Sequence, residues 1–364
     1  MSDPLAPQIF TSGSFTTLIR ALTEDESAVV TALDQAPHED ANTIAQYERL
    51  RVRWRGKEGE DERHLLLKVL PELTWAEAFH PDMAAPSEVL MLESDLSEAI
   101  GEVVIDGALA AGRRFGPRPA WLLYDDLPAQ TMDLSLDSEA VQWIAEESAA
   151  FHALYWNDGS VTARYPWIPR FDDWVPAHCQ FLDQLLTDRA VNRYGQGALR
   201  FRPTLMSSLQ HFWRAARREQ RRVLRTVLEQ PDRLLDAILA GPQTIINGDW
   251  RSVQMVRWND HLVVHEWGYL QYGPPMWDLC TFLAASPELV EPDFFLDSYF
   301  EALAALRPTF SLAERETLMR SFDLVRVLDL ILHPNRWHVL ESYTPEAVQA
   351  WLTDMCGDLE RFIG

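Results

Sequence analysis

The stretch Leu50-Arg51-Val52-Arg53-Trp54-Arg55 alternates apolar and basic side chains without a break. Successive side chains of an extended chain point to opposite faces, so this pattern puts three apolar residues against a core and three arginines in water. A half-buried strand needs partners to pair with. The flanking segments AVVTAL (28–33) and RHLLLKVL (63–70) have the β-branched and aliphatic content of strands, and TIAQYERLRVRW (43–54) runs between them. RGKEGEDE (55–62), charged and holding Gly56 and Gly59, reads as a hairpin loop. The first part of the chain therefore predicts a small antiparallel sheet.

Beyond it the period changes. APSEVLMLESDLSEAIG (85–101) carries a start signal at Pro86 and Ser87, apolar Val89, Leu92 and Leu96 at helical spacing, and Gly101 as a stop. PAWLLYDDL (119–127) reads as a further strand ending before Pro128. From DSEAVQWIAEESAAFHALYW (137–156) onward the pattern is mainly helical, interrupted by a strand-like segment at 244–270 and resuming at EPDFFLDSYFEALAAL (291–306). A β-rich beginning with one helix, followed by a helix-rich remainder, is an α+β arrangement in two lobes, with the boundary near residue 128. A chain of 364 residues, 47% of them hydrophobic, can fill two moderate cores, 1–128 and 129–364.

Composition excludes several functions. The 55 acidic residues against 32 basic ones leave a formal charge of −23, which repels nucleic acid and anionic membranes, so neither is an expected partner. No apolar run approaches the roughly 18 to 20 residues of a membrane span, and the N-terminus lacks a secretory pattern, so a cytoplasmic location is expected. Cys179, Cys280 and Cys356 are widely spaced and odd in number, which suits core thiols better than a disulfide framework or a zinc site. RAARREQRRVLR (214–225) is read as a solvated helix face, and most of the 14 tryptophans as packing groups.

The chemistry lies in TIINGDWRSVQMVRWNDHLVVHEWGYLQYGPPMWDLC (244–280). Phosphoryl transfer needs a positioned hydroxyl, a metal bridging the phosphates and a cation holding them. Asp249, an amide five residues later at Gln254, and a carboxylate at Glu266 have the acid, amide, acid order of such a site. Trp258-Asn259-Asp260 would turn the chain between two short strands, and HLVVHEW would be the strand presenting Glu266. His152, on an apolar helical face, reads as a satisfied core histidine; His265, beside Glu266, should face the other side of its strand and has no assigned role.

NGDWRSVQ, HEW and GPPMWDLC resemble the motifs H-G-D-x-x-x-x-N, I-D-W and G-x-x-x-x-D-L-A of the aminoglycoside phosphotransferase and choline kinase family of protein-kinase-like small-molecule kinases. FHALYWND with YPWIPRF is similar to the segment before the catalytic loop in the ecdysteroid-kinase-like branch, HLLLKVL to the lysine-bearing strand, and WLLYDDL to the hinge. The resemblance spans roughly residues 40 to 285 and implies a protein-kinase-like two-lobed fold, with the N-terminal lobe binding nucleotide. It further implies ATP and Mg²⁺, or Mn²⁺, as cofactors and a small molecule bearing a hydroxyl as substrate. Carried over, Lys68 would hold the phosphates, Glu88 would pair with it, and Glu93 is the rival for that pairing. Tyr124, Asp125, Asp126 and Leu127 would line the adenine pocket through backbone groups. Asp249 would be the catalytic base, Gln254 and Glu266 would hold the metal, and Asp278 would support the catalytic loop.

The sequence leaves the family pattern at four points. Asn247 replaces His, Gln254 replaces Asn, Glu266 replaces Asp, and no glycine occurs from Ser14 to Arg55, where a phosphate-covering loop would lie. Each metal ligand keeps its donor type but is longer by one methylene, about 1.5 Å of bond. Mg²⁺ requires near-octahedral oxygens at about 2.0 to 2.1 Å. Two expectations stay open: a backbone drawn back to accommodate both longer arms in an active kinase, or a catalytically silent kinase-like protein that binds a nucleotide or metabolite.

Overall fold

The computed structural model describes residues 9–10, 12–38, 46–70, 85–113, 115, 119–126, 137–186, 213, 215–286, 290–332 and 344–363. In chain order the elements are α1 (Ser12–Thr23), β1 (Val29–His38), β2 (Gln46–Gly56), β3 (Gly59–Val69), α2 (Ser87–Glu93), α3 (Leu96–Ile100), β4 (Val104–Asp106), β5 (Ala108–Gly112) and β6 (Trp121–Asp125). Then come α4 (Ser138–Ala153), α5 (Val161–Arg164), α6 (Phe171–Leu186), α7 (Arg218–Glu229), α8 (Asp232–Leu239), β7 (Thr244–Ile246), β8 (Met255–Trp258), β9 (His261–Val264) and β10 (Gln271–Gly273). The chain finishes with α9 (Met276–Ala285), α10 (Pro292–Leu306), α11 (Leu312–Leu332) and α12 (Pro345–Ile363). Two compact units result: Met1–Leu134 with Val253–Gly268, and Ser135–Ser252 with Tyr269–Gly364.

The first unit is built on an antiparallel sheet of order β1-β2-β3-β6-β5. Its apolar face carries Leu50, Val52 and Trp54 from β2, Leu65 and Leu67 from β3 and Leu123 from β6, covered by Phe15 and Ile19 of α1. Arg51, Arg53 and Arg55 of β2 pair in solvent with Glu62, Asp34 and Glu60, where water and salt screen the charges, so the strand is held by its buried face. The β2–β3 loop is shorter than expected. The strands stay paired to Gly56 and Gly59, leaving Lys57 and Glu58 as the turn, with Gly59 at φ +116 where a side chain would be strained.

Where one helix was expected in this unit, the described residues form three. α1 was not anticipated, although Phe15, Leu18, Ile19 and Leu22 have helical spacing. The helix expected from Ser87 to Gly101 breaks at Ser94, whose backbone is extended and whose N–H closes α2 on Leu90 and Met91. The unit also takes back a segment that the boundary at 128 had assigned to the second lobe. β9 pairs in parallel with β4 and antiparallel with β8, which ties Val253–Gly268 to the first unit. Asn259 and Asp260, both at positive φ, form the two-residue turn expected there. β9 ends at Val264, so Glu266 lies just past the strand.

In the second unit α4 packs against α10, α9 against α11, and α7 against α6 and α12. α4 is capped by Asp137, whose carboxylate accepts from the Ala140 N–H at 2.9 Å. α7 buries Val223, Leu224, Val227 and Leu228 and exposes Arg218, Arg222 and Arg225, the solvated face expected; Arg214 lies outside the described residues. The three cysteines are buried and free, and burial pushes the Cys179 thiol up to about 12. No helix among the described residues is long and apolar enough to cross a membrane.

Candidate active site

In the first unit the register of β2, β3 and β6 sets Tyr47, Lys68 and Leu122 side by side. Lys68 is 1% exposed. Its ammonium donates to Glu88 Oε1 at 2.5 Å and to Glu266 Oε1 at 2.6 Å. Burial acts to lower the Lys68 pKa, but Glu266 and Glu88 outweigh it and hold the ammonium charged, well above the usual lysine range. Glu88 is pushed up to about 7, chiefly by burial and secondarily by Glu266, against the opposing pull of Lys68. Glu93, the rival, faces solvent and forms a bidentate pair with Arg113 at 2.5 to 3.1 Å. The first turn of α2, and not its end, therefore meets the lysine.

α2 also clasps the segment after β9. Glu88 Oε1 accepts from the Trp267 N–H at 3.3 Å, and Ser87 Oγ donates to the Trp267 and Gly268 carbonyls at 3.3 Å. Gln254 ends a short 3-10 turn at the same end of the hairpin, its carbonyl accepting from the His265 N–H at 3.1 Å. An amide oxygen and a carboxylate are hard donors that fit Mg²⁺ or Mn²⁺, which commonly take one or two protein oxygens and complete their shell with phosphates and water. Among the described residues no group of three or more His, Cys, Asp or Glu side chains converges as an all-protein cage. The donors present suit a cation shared with phosphate.

The strand expected to line an adenine pocket is partly committed elsewhere. Asp125 is bound bidentately by Arg63 at 2.6 and 2.7 Å, and the Asp126 N–H donates to the His64 carbonyl at 3.0 Å. Asp126 therefore offers no free N–H to a ligand; Leu127 lies outside the described residues. Tyr124 turns inward, 1% exposed, its ring 5.4 Å from that of His265. Burial, with the Lys68 charge adding to it, holds His265 down at about 4.

In the second unit Asp249 follows a tightly built turn. Gly248 has φ +84, and a Cβ there would lie 2.2 Å from the Tyr269 carbonyl oxygen, so only glycine fits. Asp278, at the start of α9 and fully buried, accepts from the Asn247 and Gly248 N–H groups, both at 2.8 Å. His152 of α4 bridges Asp278, 3.3 Å from Nε2, and the Tyr299 hydroxyl, 3.0 Å from Nδ1; both ring nitrogens are used, as expected of a core histidine. Asn247 Oδ1 accepts from the Asp249 N–H at 3.0 Å. Asn247 thus fixes the following acid through a local side-chain turn. The Asp249 carboxylate is 2% exposed and accepts from Arg251 at 2.6 Å.

No protein-family model matches the sequence, and no curated protein does either. Solved structures do. Amicoumacin kinase hAmiN, solved with AMP-PNP, Ca²⁺ and Ami, aligns over 90% of this chain and 88% of its own with a TM-score of 0.51 at 12% identity. The protein has the protein-kinase-like fold. An ethanolamine kinase of Plasmodium vivax is similar over 89% of this chain and 82% of its own, with a TM-score of 0.47 and 10% identity. A choline/ethanolamine kinase family protein of Mesorhizobium loti covers 89% and 87%, with a TM-score of 0.45 and 12% identity.

Three residues near these groups, Tyr47, Asp106 and Arg251, escaped the sequence reading, as did the partners that His152 bridges. Arg251 was within reach, as a basic residue two after the acid; the others become neighbours only through the register of paired strands or the packing of α4 on α10. Asp106, at the end of β4, is almost wholly buried, and burial drives its carboxyl up to about 7, the Ala108 N–H pulling against the rise. A carboxyl raised in the folded state stabilises it below the unfolded pKa, and that contribution is lost as pH rises through about 7. Asp106→Asn, which keeps the oxygen that accepts from Ala108, should therefore be more stable than the parent at pH 8. The gain, on the order of a few kcal/mol, should shrink toward zero near pH 4. Urea unfolding at the two pH values measures it, and an equal effect at both would contradict the assignment.

Proposed function

We propose that the protein is an ATP-dependent phosphotransferase that moves the γ-phosphate to a hydroxyl of a small molecule. The observation that carries this reading is Lys68. An ammonium this deeply buried is costly unless it is paired, and here it is held by Glu88 from α2 while remaining beside Glu266. In this reading Lys68 holds the phosphates and stabilises the charge that develops on the transferring group. Asp249, held by Asn247 and Arg251, accepts the hydrogen bond of the acceptor hydroxyl and orients it for attack. Phosphoryl transfer asks mainly for positioning, which the hydrogen bonds around Gly248 supply. Gln254 and Glu266 would hold Mg²⁺ or Mn²⁺, which when bound neutralises phosphate charge.

Support comes from the fold shared with amicoumacin kinase, whose structure holds AMP-PNP and Ca²⁺. The test is ATP consumption measured with pools of aminoglycosides, amino alcohols and nucleosides. Asp249→Ala should lower turnover by about 10² to 10⁴-fold, the usual worth of a positioned acid or base, while leaving ATP binding in place. Turnover that survives the substitution would sink the proposal.

A second reading is a catalytically silent nucleotide- or metabolite-binding protein. It is favoured by Glu266, whose Oε1 rests on Lys68 and whose Oε2 lies 3.4 Å from the Tyr47 hydroxyl. Thermal stabilisation by ATP that is indifferent to Mg²⁺ and Mn²⁺ would select it.

A further inference from the structure

In the proposed function Glu266 helps to hold a divalent cation, yet its two oxygens face groups of the protein itself. Lys68 donates to Oε1 at 2.6 Å and Tyr47 to Oε2 at 3.4 Å. Tyr47 is the cross-strand neighbour of Lys68, and its ring centroid lies 6.0 Å from the ammonium. The backbone on which Glu266 rides is clamped as well: Glu88 holds the Trp267 N–H, and Ser87 holds the carbonyls of Trp267 and Gly268. With the backbone set, side-chain length decides what the carboxylate touches. An aspartate at 266 would be shorter by one bond of about 1.5 Å, leaving about 4 Å to the lysine, too far for a hydrogen bond.

We propose that Glu266 is a latch on Lys68, created by its additional methylene, so that the lysine ammonium and a divalent cation compete for one carboxylate. The proposal rests on the kinase-like reading for the identity of the cation, but its operation does not require turnover. Lys68 between two carboxylates gives a cluster of formal charge −1, which opposes the approach of polyphosphate. Phosphates that draw Lys68 toward themselves release Glu266 to the cation, and a cation that takes Glu266 releases Lys68 to the phosphates. Binding of the two is then cooperative, and the coupling is reciprocal. In the nucleotide-free protein the latch stays shut and the cation binds weakly.

The experiment is titration with Mn²⁺ alone, reading free Mn²⁺ by electron paramagnetic resonance, on the full chain and on Glu266→Asp. Far-UV circular dichroism and thermal unfolding establish that the variant is folded. Glu266→Asp should bind Mn²⁺ about tenfold more tightly than the parent without nucleotide, because its carboxylate no longer reaches the ammonium. Should that variant not fold, Tyr47→Phe, which removes one hydroxyl, should shift Mn²⁺ affinity in the same direction by a smaller factor. AMP-PNP should tighten Mn²⁺ binding by about tenfold in the parent and by less in the variant. Mn²⁺ affinity equal to or below that of the parent in the folded variant overturns the latch. ATP consumption is read separately: Mn²⁺ affinities in the expected order without any turnover uphold the latch and refute the phosphotransferase. Turnover with unchanged affinities does the reverse.

Discussion

Asp278→Ala is expected to cost the second unit about 3 to 5 kcal/mol, because a buried donor stripped of its acceptor costs about 1 to 3 kcal/mol. Three donors lose theirs at once: the N–H groups of Asn247 and Gly248 and the nearby nitrogen of His152. Alanine fills none of the vacated positions, and the 0% exposure of Asp278 keeps water from replacing it easily. The loop cannot relax toward a commoner backbone, since the Tyr269 carbonyl packs against Gly248. Asp278→Asn, which keeps one oxygen but turns an N–H₂ toward a donor, should cost less than alanine and more than nothing. Urea unfolding followed by the emission of buried Trp250 and Trp277 measures both. A loss under about 1 kcal/mol, with amide exchange at Asn247 and Gly248 still slow, would show that Asp278 does not hold the turn. If the phosphotransferase reading is right, activity should fall further than stability requires, because misplacing the acid by about 1 Å can cost on the order of 10²-fold in rate.

Lys68→Met is the second large effect. Removing one partner of a buried ionic cluster leaves the rest uncompensated, typically at about 3 to 5 kcal/mol. Here the stranded groups are Glu88, 3% exposed, and Glu266, whose carboxylates both lie within 2.6 Å of the missing ammonium. If that is the cause, neutralising one stranded carboxylate should return part of the loss. The double variant Lys68→Met, Glu88→Gln should therefore be more stable than Lys68→Met alone, a non-additivity of about 1 to 3 kcal/mol between residues in one network. Chemical denaturation of the parent, both single variants and the double variant closes the cycle. Strict additivity would mean that the loss comes from packing of the lysine stem, and the charge argument would fail.

How far the sequence could be read depended on the range of each interaction. The alternation of Leu50, Val52 and Trp54 with three arginines was enough for β2, since a period of two has one physical meaning beside a core. The Asn259-Asp260 turn was legible because few residues accept positive φ at adjacent positions. The break in the helix at Ser94 was not, because apolar spacing continues through Leu96 and the interruption is a backbone event. α1 was missed although its apolar spacing was present, because it begins beside a stretch of Ser, Thr and Gly that reads as a loop.

The same divide runs through the site. Sequence alone determined the α+β class, the antiparallel sheet with Lys68 in its third strand, the order of Asp249, Gln254, Glu266 and Asp278, and the added methylenes at Gln254 and Glu266. Helical spacing could not choose between Glu88 and Glu93, since both lie on plausible turns of one segment. The choice was made by the docking of α2, whose first turn gives Glu88 to Lys68 and whose last turn gives Glu93 to Arg113. Only tertiary structure placed Tyr47 beside Lys68, buried Asp106 at the end of β4, and joined His152 to Asp278 across 126 residues. Local pattern records which face of an element is buried. Which buried polar group meets which depends on strand register and helix docking, where a shift of one residue or one turn changes every partner.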